Sequence, residues 1–121
     1  METIPEQERS WLAGLRDPHV SRALALMHAE PAHQWTVDDL GREAGLSRSA
    51  LAERFALLIG EPPMQYLKRW RLALGARALK EGSASVLQVA QQVGYESEAA
   101  FNRAFKREFG TPPAAWRRQS R

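Results

Sequence analysis

Cysteine is absent from the 121-residue sequence. That excludes disulfide staples, zinc ribbons and thiol nucleophiles, and makes a reducing cytoplasm the expected setting. Long apolar runs are missing too. The longest, Ala23 to Met27 and Phe55 to Ile59, are five residues each, against the roughly 20 that a membrane span needs. The opening residues METIPEQERSW lack a basic start followed by an apolar stretch, so no secretory signal is expected. Histidine is sparse: His19, His28 and His33 form no HExxH or other close ligand set, and surface or capping roles are expected for them. Glycines stand one at a time at expected helix ends rather than in a phosphate-cradling loop. The sequence thus gives an enzyme little support, and no cofactor or metal is expected.

What is present is helical. Apolar residues make up 44% of the chain and charged residues 26%, enough for a core with a charged surface. Val20, Ala23, Leu24 and Met27 recur at helical spacing after Asp17-Pro18, a cap followed by a first-turn proline, and this helix should stop before Pro31. Thr36 reads as an N-cap with Asp38 and Asp39 in the first turn, over a short helix burying Val37, Leu40 and Ala44 and ending at Gly45. Ser47 restarts a helix with Leu51, Phe55 and Leu58 inward, closed by Gly60. Pro62-Pro63 opens the longest helix, expected to reach Lys80 with Leu67, Trp70, Leu74 and Ala78 on one face. Ser85 and Gln88 fit a capping box before Val86, Val89, Ala90 and Val93. A helix from Ser97 should bury Phe101, Ala104 and Phe105 and end at Gly110, with Trp116 on a short helix after Pro112-Pro113. The tail from Arg117 to Arg121 is expected to fray. The fold class is all-α.

These helices repeat. Leu40 matches Val89, Ala44 matches Val93 and Gly45 matches Gly94, all at an offset of 49. Leu51 then matches Phe101, Phe55 matches Phe105, Gly60 matches Gly110, Pro62-Pro63 matches Pro112-Pro113, and Tyr66 matches Trp116, at an offset of 50. The second copy therefore has one extra residue in its turn. A glycine between two short amphipathic helices is what a helix-turn-helix requires, because the chain must reverse within three or four residues. One such pattern is weak evidence, whereas two copies with matched cores and a matched Gly-x-Pro-Pro exit are not generic packing. The resulting division is an extension or junction over 1–16, a first helix-turn-helix unit over 17–61, a connecting helix over 62–81 and a second unit over 82–121. A connecting helix of about 17 residues would span roughly 26 Å, and major-groove segments on one face of B-DNA recur about every 34 Å.

Charge is polarised. Residues 1–65 carry six basic and ten acidic side chains, a net of −4, and residues 66–121 carry eleven basic and four acidic, a net of +7. Such a split points to a polyanion on the basic side and a protein on the other.

The segments TVDDLGREAGLSRSALAERF, PPMQYLKRWRLALGARALKEG and VLQVAQQVGYESEAAFNRAFKREFGTPPAAWR resemble the AraC/XylS family of bacterial transcription regulators, and the likeness runs from about Asp17 to Arg118. The resemblance implies two homeodomain-like helix-turn-helix subdomains joined by a long helix, each placing its second helix in the major groove of double-stranded DNA. It implies RNA polymerase as a further partner, and a sensing domain for any effector ligand outside this chain. WLAGLRDPHVSRALALMH resembles the junction found in longer members.

The reading helices are expected at about 47–58 and 97–108. Their early outward positions, Arg48, Ser49, Ala52 and Glu53, then Glu98, Ala99, Asn102 and Arg103, are the base-reading candidates. Family members often place larger donors where this chain has Ser49, Ala52, Glu53 and Ala99, which shifts the expected base discrimination to Asn102 and Arg103. Ser47, Ser97, Lys106 and Arg107, with the tail arginines, are the phosphate candidates. Lys68, Arg69 and Arg71 on the connecting helix read either as solvated or as further DNA contacts. The rival reading is a helical adaptor that meets the transcription machinery without touching DNA. Single-strand binding would need exposed aromatic side chains, and the aromatics here fall on core faces.

Overall fold

A computed structural model describes residues 14–120, all helix and connecting turns with no strand among them. The N-terminal extension expected at 1–16 thus lies outside the described residues as far as residue 13. The helices are α1 (Pro18–Ala29), α2 (Val37–Ala44), α3 (Arg48–Ile59), α4 (Pro63–Glu81), α5 (Val86–Gln92), α6 (Glu98–Phe109) and α7 (Pro113–Ser120). The described residues form two compact units, one of residues 14–30 and 35–67, the other of residues 31–34 and 68–120.

Local chemistry sets the helix starts. The Asp17 carboxylate accepts from the amides of His19 and Val20, Thr36 Oγ1 from Asp39 N, Ser47 Oγ from Ala50 N, and Ser97 Oγ from Ala100 N. The capping box at Ser85 and Gln88 is complete in both directions. Each such cap satisfies an amide that the helix leaves unpaired, worth about 1 kcal/mol. Gly45, Gly60, Gly94 and Gly110 all have positive φ, and no other residue type among the described residues does.

The first unit buries Val20, Ala23, Leu24 and Met27 of α1, Leu40 of α2, Leu51 and Phe55 of α3, and Tyr66 and Leu67 at the start of α4. In the second unit Leu72, Ala76 and Leu79 of α4 meet Val89, Ala90, Phe101, Ala104 and Phe105. The repeat extends to ring geometry. Phe55 meets Tyr66 edge-on at 5.7 Å and 70°, and the matching pair Phe105 and Trp116 meets at 5.9 Å and 70°. Edge-to-face contact suits the quadrupoles of both rings.

Three expectations need correction. The face of α4 drawn through Leu67, Trp70, Leu74 and Ala78 is not its buried face: Leu67, Leu72, Ala76 and Leu79 are buried, while Trp70, Leu74 and Ala78 are only partly so. Its first turn serves one core and the remainder another, so no single stripe describes it. The tail does not fray at Arg117, because α7 continues to Ser120 and Arg117 Nε donates to Leu79 O at 2.9 Å, beside a bond from Trp116 Nε1 to Ala76 O. Finally, His28 ties α1 to α4 rather than capping a helix or standing at the surface, its Nε2 lying 2.7 Å from the Tyr66 hydroxyl. His19 does act as a cap: its Nδ1 donates to Ala44 O, the last carbonyl of α2, at 2.7 Å.

Candidate nucleic-acid interface

Helices α2 and α3 reverse direction through Gly45, Leu46 and Ser47. Gly45 N donates to Arg42 O and Leu46 N to Gly41 O. The second copy repeats the pattern at an offset of 49, with Gly94 N donating to Gln91 O and Tyr95 N to Ala90 O. Glu96 is the additional residue, standing between this closed turn and the Ser97 cap.

Within each unit the second helix is fixed by its inner face. Leu51 and Phe55 on α3, and Phe101, Ala104 and Phe105 on α6, are buried. That leaves the candidate residues outward. Arg48, Ser49 and Glu53 are exposed with Ala52 partly so, and Glu98, Ala99 and Arg103 are exposed with Asn102 partly so. Lys106 and Arg107 are exposed on the last turns of α6. Ser47 and Ser97 each use an oxygen lone pair for capping, which leaves the hydroxyl hydrogen able to donate outward. The structure thus brings each set of four early positions onto one exposed face. Arg117, by contrast, leaves the phosphate-facing set because its guanidinium is tied to Leu79.

The two faces differ electrostatically. On α3, Arg48 lies 3.9 Å from Asp38 and Arg54 lies 3.3 Å from Asp17. On α6, Arg103, Lys106 and Arg107 have no carboxylate partner among the described residues. Aligned by the offset of 50, Glu53, Ala56 and Leu57 of α3 stand where α6 has Arg103, Lys106 and Arg107. Leu57 is 81% exposed, so this part of α3 shows solvent an apolar side chain where its counterpart shows a cation. The pairing of Arg48 with Asp38 has no signal in the sequence, where Asp38 figures only as a first-turn carboxylate. Arg71 departs further from its sequence reading: its Nε donates to Pro31 O at 2.7 Å and its Nη2 to His33 O at 2.8 Å, so it is an internal tie.

Comparison with known proteins fits this geometry. A family model described as "Helix-turn-helix domain" matches residues 40–119. A Streptomyces lividans protein named as an AraC-like transcription regulator is 48% identical over 118 residues, covering 98% of this chain and 39% of that protein. The transcriptional regulator AlkR of Acinetobacter baylyi is 42% identical over 115 residues, covering 95% of this chain and 38% of that protein. The chain therefore spans about two fifths of the length of these relatives. Among solved structures, the DNA-binding domain of the global transcriptional factor AdpA, crystallised with a target DNA, superposes with a TM-score of 0.80 at 32% identity, over 85% of this chain and 92% of that one. An AraC-type regulator from Chromobacterium violaceum gives 0.79 at 27% identity, with the same coverage. With its duplicated turn, its two exposed second helices and these matches together, the chain belongs to the AraC/XylS family of helix-turn-helix domains.

Proposed function

We propose that this chain is a sequence-specific double-stranded DNA-binding module of a cytoplasmic transcription regulator, placing α3 and α6 in adjacent major-groove segments of a promoter. The observation that carries the proposal is the duplicated helix-turn-helix with two solvent-facing second helices, combined with its likeness to a domain crystallised on its target DNA. The connecting helix has 19 residues, about 28 Å at 1.5 Å each.

The two units have unequal roles. Arg103 is the guanine reader, because its guanidinium can bridge O6 and N7, and Asn102 is the adenine reader. Lys106 and Arg107 contact phosphate and give the complex its salt dependence. Arg48, Ser49, Ala52 and Glu53 add a weaker second half-site, Ala52 and Ala99 being able to offer only apolar contact, for instance to a thymine methyl. The acidic first unit, with Leu57 exposed, is the side left for a protein partner such as RNA polymerase. Any sensing function belongs to the part of longer relatives that this chain does not match.

The test is selection of bound sequences from a random duplex pool, followed by Arg103→Ala on the selected and a scrambled site. Selected-site affinity should fall by about 1–3 kcal/mol with scrambled-site affinity nearly unchanged. An equal loss on both would reduce Arg103 to a phosphate contact. Wild-type protein that shows no salt-dependent duplex binding would favour the adaptor reading instead.

A further inference from the structure

Between α1 and α2 the chain makes a four-residue excursion, Pro31 to Gln34, whose ends are clipped together by Trp35 Nε1 donating to Glu30 O at 2.9 Å. The flanking residues belong to the first unit, yet residues 31–34 belong to the second. Within that unit Arg71 of α4 holds the excursion through the carbonyls of Pro31 and His33, at 2.7 and 2.8 Å. Gln34 Nε2 donates to Gly94 O at 3.3 Å, on the turn that leads into α6. The packing there is close. A Cβ built on Gly94 would lie 2.9 Å from Arg71 Nε, 3.0 Å from Ala32 Cα and 3.0 Å from Pro31 O. Next along the turn, the Tyr95 ring packs edge-on against Phe101, the first buried residue of α6, at 5.4 Å.

The chemistry suits a fixed brace. Arg71 has no carboxylate partner among the described residues, so backbone carbonyls hold its charge. The planar guanidinium offers donors in a fixed fork that can grip two carbonyls at once, which a lysine ammonium on its flexible stem does less well. The first unit offers an internal comparison, because its matching turn at Gly45 has only the His19 ring nearby, at 3.6 Å from a built Cβ. Only the second turn is pressed by a backbone segment.

We propose that Arg71 is a positioning residue for the second reading helix. Through residues 31–34 it fixes the Gly94–Tyr95 turn, and through Tyr95 and Phe101 the direction in which α6 presents Asn102 and Arg103. The proposal rests on the DNA-reading assignment above for its functional consequence, and on geometry alone for the brace.

The experiment reads amide hydrogen exchange at Gly94 and Tyr95, with Gly45 and Leu46 as controls in the same molecule, in wild type, Arg71→Ala, Arg71→Lys and Gln34→Ala. Arg71→Ala should speed exchange at 94 and 95 about tenfold or more, as expected when a local opening unit is weakened, and leave 45 and 46 unchanged. Arg71→Lys should restore part of the protection. On DNA, Arg71→Ala should lose roughly tenfold of its preference for the selected site over a scrambled one, the equivalent of one good base contact. Unchanged exchange at 94 and 95, or a parallel rise at 45 and 46, would overturn the brace. Should Arg71→Ala fail to fold, Gln34→Ala, which removes one exposed hydrogen bond to the same turn, decides by the same readout. Wild-type protein that ignores duplex DNA defeats the DNA reading while leaving the exchange result decisive for the brace. Wild type that discriminates alongside an Arg71→Ala variant that discriminates equally defeats the positioning role alone.

Discussion

The carbonyl of Leu46 sits so close to Gly41 that a Cβ built there would lie 2.7 Å from its oxygen. The matching position in the second copy is Ala90, which carries that Cβ and still accepts a bond from Tyr95 N. The difference tracks the turn. Only Leu46 separates Gly45 from the Ser47 cap, whereas Tyr95 and Glu96 separate Gly94 from Ser97. The shorter turn folds its carbonyl back over the helix, and the helix gives way by using glycine.

Gly41→Ala should therefore destabilise the first unit by about 1–3 kcal/mol, the usual cost of overpacking, despite alanine's better helix propensity. One residue inserted between Leu46 and Ser47 should relieve much of that loss. Chemical denaturation of the single and combined variants checks both statements, and a Gly41→Ala protein as stable as wild type would refute the account.

A second glycine carries a packing constraint of another kind. Gly75 of α4 lies against the ring of Phe101, with a built Cβ 2.9 Å from both Cε1 and Cζ. Phe101 is fully buried on α6, so its ring cannot swing into solvent. Gly75→Ala should cost about 1–3 kcal/mol. Pairing it with Phe101→Leu should recover part of that cost, a coupling that a double-mutant cycle measures.

Much of this is legible in the sequence. Thr36 and Ser85 are the caps that they read as, Ser47 and Ser97 open their helices where expected, and the inner faces of α3 and α6 follow their periodicity except at Leu58, which is only half-buried. These features depend on residues three or four apart, and the internal repeat supplies an independent check. What stays hidden depends on partners far along the chain. His19 meets a carbonyl 25 residues away, Arg117 one 38 away and Arg71 carbonyls 38 and 40 away. A backbone carbonyl has no sequence signature, so Arg71 and Arg117 read as solvent-facing charge or frayed tail, and His19 as a surface or capping residue with no partner named. The split burial of α4 escapes for a related reason, since periodicity assumes one core per helix. In the candidate interface the outward positions follow from spacing, but the carboxylates beside Arg48 and Arg54 do not.

His28 makes stability depend on pH. Burial pushes its pKa below the ordinary 6.5, so the folded protein favours the neutral ring, in hydrogen-bond reach of the Tyr66 hydroxyl. The unfolded chain then binds the proton more readily than the native state. The His28 contribution is complete above about pH 6.5 and is lost as pH falls below that value. Thermal unfolding of wild type and His28→Gln between pH 8 and 5 should show the wild-type advantage shrinking on the acid side. A difference independent of pH would refute the linkage.

Charge pairing makes the last prediction, the salt dependence of DNA binding. An exposed ion pair is worth about 0–1 kcal/mol, so the carboxylates beside Arg48 and Arg54 do not lock them, but they cancel much of the field those cations would offer a phosphate. Arg103, Lys106 and Arg107 meet no such cancellation among the described residues. Removing one cation from a phosphate should lower the slope of log affinity against log salt by about 0.9. Lys106→Gln and Arg107→Gln should each reduce the slope by about that amount and weaken selected and scrambled duplexes alike. Arg54→Gln should leave the slope nearly unchanged, since Asp17 at 3.3 Å already offsets the field of that guanidinium. Equal slope changes for helix α3 and helix α6 variants would mean that both units grip the phosphates, and the second would no longer be the anchor.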